Sequence, residues 1–155
     1  MIRRYGGRPE ASRVYIPRPG AYAILLRAGQ ILLTWQGAQR RELQLPGGGI
    51  DPGESPIGAL HREVFEETGW HIAAPRRLGA FRRHTYMPEY GIWAEKICHV
   101  YLARPTLRKA APSEPDHVPV WLDPDEAAGS LATQGDREFL GRLLRSAAGR
   151  AARRG

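Results

Sequence analysis

Cysteine, lysine and long apolar runs are what this 155-residue chain has least of. Cys98 stands alone, which excludes an intramolecular disulfide framework and any metal site built from several thiolates. The longest apolar stretch, Ala21 to Leu26, falls far short of the roughly 20 residues a membrane-spanning helix needs, so no membrane partner is expected. The leading MIRRYGGRPEASR has no apolar core, so no secretory signal is read there and a reducing cytoplasm is the expected setting. Low complexity is absent too. The 18 Gly and 13 Pro make up a fifth of the chain, below the roughly 25–30% that marks disorder. No internal repeat or linker divides the sequence, so one domain is expected, long enough to bury roughly 70% of its unfolded surface.

Lysine occurs only at Lys96 and Lys109, so arginine supplies nearly all of the positive charge behind a net +7. A basic field attracts polyanions. Much of the excess, however, lies at the two ends: Arg3, Arg4, Arg8 and Arg13, then Arg142, Arg145, Arg150, Arg153 and Arg154. An arginine bias alongside abundant Ala, Gly and Pro also reflects coding composition as readily as a partner. A nucleic-acid partner is therefore admitted by the charge but not favoured over a small molecule. The expected organisation is a flexible basic arm over 1–12, a single domain over 13–148 and a basic tail over 149–155.

Along the chain, Ala21–Leu26 and Ile31–Trp35 read as a hairpin joined at Ala28-Gly29-Gln30. Glu42–Leu45 is a short strand stopped by Pro46 and the glycines Gly47, Gly48 and Gly49, which leave the backbone free to approach something closely. Ser55-Pro56 opens a helix that runs to about Thr68, with Gly69 as its stop. Extended runs follow at Leu78–Tyr86 and Ile92–Leu102, then a Pro-rich connection over 105–115 and a strand at Val118–Leu122. Asp123-Pro124 reads as another helix start. A last helix spans about Asp136–Ala148, with Phe139, Leu140, Leu143, Leu144 and Ala147 on one face. The order β-β-β-α-β-β-β-α predicts a mixed-sheet α/β domain.

The Ser55–Thr68 helix carries the chemistry. Ile57, Leu60, Val64 and Thr68 form one stripe, and Glu63, Glu66 and Glu67 project together from an adjacent face. Three like charges at that spacing repel by a few tenths of a kcal/mol per pair. A divalent cation turns that liability into a site, because hard cations take carboxylate oxygens, and Mg²⁺ completes its shell with water and substrate phosphates. A solvated acidic face is the bland alternative for these three residues taken alone. The glycine run is not a nucleotide-binding P-loop, since no Gly-Lys-Ser/Thr ends it.

Gly48, Glu54, Arg62, Glu63, Val64, Glu66, Glu67 and Gly69 fall at the spacing G-x5-E-x7-R-E-U-x-E-E-x-G-U. That pattern resembles the box of Nudix hydrolases, and its chance occurrence in a chain of this size is on the order of one in a million at average residue usage. Trp70 departs from the family's usual aliphatic residue at the last position, where a bulky apolar side chain still has room to pack.

The resemblance implies a Nudix-like α/β/α sandwich with a mixed β-sheet between helices. It implies a metal-dependent hydrolase, using Mg²⁺ or Mn²⁺, that cleaves a diphosphate linkage in a small nucleotide, as a monomer or homodimer. Carried over residue by residue, Glu63, Glu66 and Glu67 are the metal carboxylates, Glu63 is also the candidate base, and Arg62 orients it through a charge-assisted hydrogen bond. Glu54 pairs with the box or assists the metal, and Gly47, just before the box, offers its carbonyl. A further carboxylate from downstream is expected at Glu114, with Asp116 and Glu95 as rivals. Phe81, Arg82, Arg83, His84 and Tyr86 are the run expected to line a base or phosphate pocket, and from it Arg82, His84 and Tyr86, with Gly48, are the candidate substrate contacts, since arginine grips phosphate and an aromatic ring stacks on a base. Tyr86, 16 positions past Trp70, resembles the tyrosine of dinucleoside polyphosphate hydrolases, while Leu45-Pro-Gly-Gly resembles enzymes that clean up nucleoside triphosphates. Two alternatives remain: an RNA 5′-end pyrophosphohydrolase recruited by the basic ends, and a nucleotide-sensing module without catalysis.

Overall fold

Strand β2 (Ile16–Arg27) is buried on both faces along its second half, Ala21 to Leu26, and that fixes a layered architecture around it. Ala21, Ala23 and Leu25 pack with Leu60 and Val64 of α1 (Pro56–Thr68). The alternate residues Ile24 and Leu26 join Phe139, Leu140, Leu143 and Leu144 of α3 (Gln134–Arg145) in a second core. The computed structural model describes residues 2–37 and 39–155.

The other elements are β1 (Arg3–Arg4), β3 (Gln30–Gln36), β4 (Glu42–Gln44), β5 (Gly47–Gly49), β6 (Trp70–Met87), β7 (Ile92–Arg108), β8 (His117–Leu122), α2 (Pro124–Ser130) and α4 (Ala147–Arg154). Their sheet runs β1-β6-β7-β2-β3-β4, with β5 added to β2 and β8 to β3. β2 and β7 run parallel, as do β1 and β6, while the remaining pairs are antiparallel. The mixed sheet between helices is the architecture expected from the sequence.

Several elements extend beyond their predicted bounds. β2 begins at Ile16 despite Pro17 and Pro19, because both pair with β7 and on the other edge no ladder bond calls for their missing N–H; there the Pro19 carbonyl only accepts, from the Ile50 N–H at 3.0 Å. β6 begins at Trp70, ahead of the predicted start at Leu78, and β7 runs on to Arg108, past the predicted end at Leu102 and into the Pro-rich connection, with the pair shifting register near Pro75, Gly79 and Pro105. The glycines 47–49 form a strand of their own, not a free loop. α1 starts and stops where predicted: the Ser55 hydroxyl accepts from the Gly58 N–H, and Gly69 ends the helix at φ 76°. Ile57 leaves the predicted stripe and is exposed, whereas Leu60, Val64 and Thr68 are buried. Trp70 packs edge-on against Trp121, with 5.5 Å between ring centroids.

The two ends depart from the expected loose arm and tail. Met1 lies outside the described residues, but Arg3–Arg4 pairs with Phe81–Arg82, and Tyr5 is 5% exposed. The Tyr5 ring meets Phe81 edge-on at 5.8 Å, and its hydroxyl accepts a hydrogen bond from Arg142 at 3.0 Å. At the other end α3 stops at Arg145, earlier than predicted. Ser146 caps α4, where Ala152 packs on the core and Arg153 pairs with Asp125 at 2.7 Å. Burial of one aromatic ring outweighs the polar run around it. Tyr5→Ala is therefore expected to cost about 3 kcal/mol in a denaturant melt; a cost near zero would restore the loose arm.

Candidate active site

The site begins where three glycines meet a helix. β5 lies against β2, with Tyr22 opposite Gly47 and Ala21 opposite Gly48, which brings the backbone of β5 beside the side chains of α1. A Cβ on Gly48 would stand 2.5 Å from the Glu63 carboxylate, so any side chain there pushes Glu63 out of place. Gly48→Ala is expected to lower activity roughly tenfold, by the cost of misplacing a reacting group, with little change in melting temperature. A variant as active as the parent would show that Glu63 works from another position.

One turn further along α1, Glu67 is 4% exposed and accepts a hydrogen bond from the Gly47 N–H at 3.2 Å. Its other oxygen lies 3.3 Å from His117 Nε2 on β8, although neither ring nitrogen of His117 makes a hydrogen bond among the described residues. Burial pushes the Glu67 carboxyl well above the usual carboxylate range, and repulsion from Glu63, Glu114 and Glu66 adds to the shift. Glu63 is raised by burial as well, partly offset by its bond to Arg62.

Arg62 gathers the remaining acids. Its guanidinium binds Glu54 through two contacts of 2.8 Å, Glu63 at 2.9 Å and Glu66 at 3.3 Å, and donates to the Gly49 carbonyl at 3.0 Å. The paired geometry holds the Glu54 carboxyl down at about 2. Downstream, the backbone N–H groups of Ser113 and Glu114 both donate to the Glu66 carbonyl at the end of α1. That tie pins the loop and carries Glu114 to the site.

These groups border a cleft of about 340 Å³, lined by Gly47, Gly48, Glu63, Glu67, Glu114 and Tyr86 among the predicted residues. Glu54 and Glu66 are held by Arg62 outside the lining. Arg82 and His84 do not reach the cleft, a departure from the predicted contacts. His84 instead lies 3.1 Å from Glu95, which removes both from the site, and Arg83 and Thr85 line the cleft in their place. On a strand, a slip of one residue exchanges the two faces, and a run as polar as Arg82-Arg83-His84-Thr85 gives no parity signal. His117, Lys96 and Arg18 line the cleft too and were not singled out from the sequence.

The donor set consists of hard carboxylate oxygens, mutually repelling and partly stripped of water, which suits Mg²⁺ or Mn²⁺. Among the described residues no three acidic or histidine side chains stand close enough to enclose an ion as they are placed. Glu63, Glu67 and Glu114 face a common cleft instead, in keeping with an ion that draws part of its shell from water and phosphate.

Comparison with known proteins bears on the same residues. The NUDIX domain matches residues 16–143. A Bacillus subtilis protein, named provisionally as an 8-oxo-dGTP diphosphatase, is 37% identical over 78 residues, half of this chain and 52% of that protein. An RNA pyrophosphohydrolase of Proteus mirabilis is 47% identical over 55 residues, 36% of this chain and 30% of that one. The chain thus spans about half the length of the first relative and under a third of the second. Among solved structures, a MutT NUDIX hydrolase from Burkholderia pseudomallei superposes with a TM-score of 0.62 at 27% identity, covering 81% of this chain and 96% of that one. A NUDIX hydrolase from Nitrosomonas europaea shares the fold at TM-score 0.67 and 21% identity, covering 81% and 86%.

Proposed function

The chain belongs to the NUDIX domain family, and from that premise we propose that it is a metal-dependent pyrophosphohydrolase of small nucleotides. It cleaves a diphosphate linkage in a nucleoside polyphosphate or a nucleoside diphosphate derivative, with dinucleoside polyphosphates and nucleoside triphosphates favoured. The observation that carries this reading is the buried Glu67, fixed by the Gly47 N–H beside the half-buried Glu63 and the loop acid Glu114.

Each residue has a task in this reading. Glu63, Glu66, Glu67 and Glu114, with Gly47, hold Mg²⁺ or Mn²⁺, which when bound neutralises phosphate charge, acidifies water and stabilises the leaving oxygen. Glu63 is the base for the attacking water, since burial makes its carboxylate a stronger proton acceptor than an exposed one while Arg62 fixes its direction. Glu54 anchors Arg62 and stays ionised. The Gly47–Gly49 backbone lets a phosphate approach without a side chain in the way, and Tyr86 at the rim is placed to contact the nucleoside.

Phosphate release from a panel of nucleoside triphosphates, oxidised dGTP, diadenosine polyphosphates, ADP-ribose and 5′-triphosphate RNA tests this reading, with coupling enzymes and with Mg²⁺, Mn²⁺ or chelator. Chelator-sensitive turnover of a nucleotide is expected; metal-independent turnover, or none, contradicts it.

The raised carboxyls also set a pH dependence. Without metal, folded Glu67 and Glu63 hold their protons more tightly than the unfolded chain does. Their contribution to stability is therefore full below the ordinary carboxylate range and falls as pH rises through their raised values. Metal displaces those protons. Mn²⁺ is accordingly expected to raise the melting temperature more at pH 8 than at pH 5; an equal shift at both would place the ion elsewhere.

A second reading, action on RNA 5′ ends, is favoured by the Proteus mirabilis relative. Recruitment by loose basic ends does not support it, because Tyr5 and α4 are packed on the core.

A further inference from the structure

Opposite the carboxylates, the cleft changes sign. The strand register sets Arg18 of β2 against Lys96 of β7, and Lys96 against Arg83 of β6. Three basic residues thus form one rung across three adjacent strands, on one face, and all three line the cleft that holds Glu63 and Glu67. In the antiparallel pair Lys96–Arg83, directly opposed residues have Cβ atoms about 4.5–5.5 Å apart, and like charges so placed destabilise a sheet.

Among the described residues no acidic side chain neutralises this rung by contact. Among the described residues none of the three makes an ion pair. The Arg18 guanidinium lies 4.6 Å from the centre of the Tyr90 ring, and Lys96 Nζ lies 5.8 Å from that of Tyr22. The acids that face the group are Glu89, at the cleft rim, and Asp136 of α3, which lines a neighbouring pocket of about 20 Å³ together with Arg83 and Lys96. Burial and the Arg83 charge hold the Lys96 amine below its ordinary range, so the shortfall of counter-charge is felt at that side chain.

We propose that the Arg18–Lys96–Arg83 rung is an anion subsite that takes a phosphate of the substrate beyond the two flanking the scissile bond. Nucleotides with a chain longer than a diphosphate are then the substrate class. This assignment rests on the pyrophosphohydrolase reading for the identity of the scissile bond, but the anion affinity stands without it. Two guanidinium forks and one ammonium suit tetrahedral phosphate oxygens, whereas a neutral base would leave three cations desolvated. The two tyrosine rings nearest the rung already lie beneath its cations, which leaves the subsite to charge and not to stacking.

Calorimetric titration with inorganic tripolyphosphate, in excess chelator, tests the rung apart from the metal. The intact protein is expected to bind. Lys96→Met and Arg83→Met are each expected to weaken binding at least tenfold and to melt no lower than the parent, since each relieves a like-charge contact. Lys96→Arg is expected to retain binding, which keeps the test valid if a methionine variant fails to fold. Glu67→Gln, which removes a negative charge from the far end of the cleft, is expected not to weaken it. With metal restored, the preference in kcat/KM for a nucleoside tetraphosphate over the diphosphate is expected to fall at least tenfold in Lys96→Met. Absent binding in chelator, or binding and preference unchanged in both methionine variants, overturns the proposal. Intact, rung-dependent binding with no turnover of any phosphate compound would instead overturn the pyrophosphohydrolase reading and leave the rung standing.

Discussion

Replacing Glu67 by glutamine is expected to cut turnover by roughly a hundredfold or more, beyond what the loss of a group outside the ligand shell costs, while making the metal-free protein more stable. The two effects share one cause. Glu67 is almost fully buried, and burial with repulsion from Glu63 and Glu114 raises its pKa well above the usual range. Glutamine keeps an amide oxygen for the Gly47 N–H but carries no charge, so it removes the cost of an ionised group in a dry setting. A gain of about 1 kcal/mol is expected, as is common where a site is kept at the expense of stability. The pair of measurements is steady-state turnover with Mg²⁺ and a denaturant melt in chelator. A variant that is less stable and fully active would mean that Glu67 is a structural acid, held for its bond to Gly47.

Arg62 gives the second large effect. Among the described residues it is the one cation paired with Asp51, Glu54, Glu63 and Glu66, at distances of 2.8 to 3.5 Å. Arg62→Met strands those acids and frees Glu63 to turn, so a loss of roughly 10–100-fold in kcat is expected, the range for removing a group that orients a ligand. Arg62→Lys is expected to recover little of it, because one ammonium cannot reproduce the two-pronged contact with Glu54 together with the bonds to Glu63 and Gly49. Acid sensitivity follows the same contact. The Glu54 carboxyl is held down at about 2 in the folded protein, against 4.5 unperturbed. The stability it lends is present above about pH 4.5 and is lost as pH falls toward 2. The difference in melting temperature between the parent and Arg62→Met should therefore be seen at pH 7 and shrink below pH 4.5; a gap that stays constant with pH would show that Arg62 acts by packing alone.

Much of this site was legible in the sequence because its chemistry demands fixed residue types at fixed spacing on one helix. The helix termini were readable for the same local reason: Ser55 and Gly69 cap through backbone geometry confined to a few residues. Glu114 was within reach as a downstream acid, although the tie that places it, from its own N–H to the Glu66 carbonyl, is tertiary. What sequence reasoning missed needs register between distant segments. The choice of Arg83 over Arg82 depends on how β6 pairs with β7, and the basic rung joins residues 18, 83 and 96 from three strands. His117 had no signal, since a lone histidine before a strand is ordinary. Tyr5 was hidden by its polar neighbours, although one ring reaching Phe81 is enough to order that end.

The central claim is that the acids of α1, with the glycine strand, form a divalent-cation site that drives hydrolysis. Titration of Mn²⁺ followed by electron paramagnetic resonance, on the parent and on Glu67→Gln, tests it most directly, because free and bound ion are counted without reference to any substrate. Binding by the parent is expected, weakened at least tenfold in the variant and competed by Mg²⁺. Equal affinity in the two proteins, or no binding by the parent, would contradict the account.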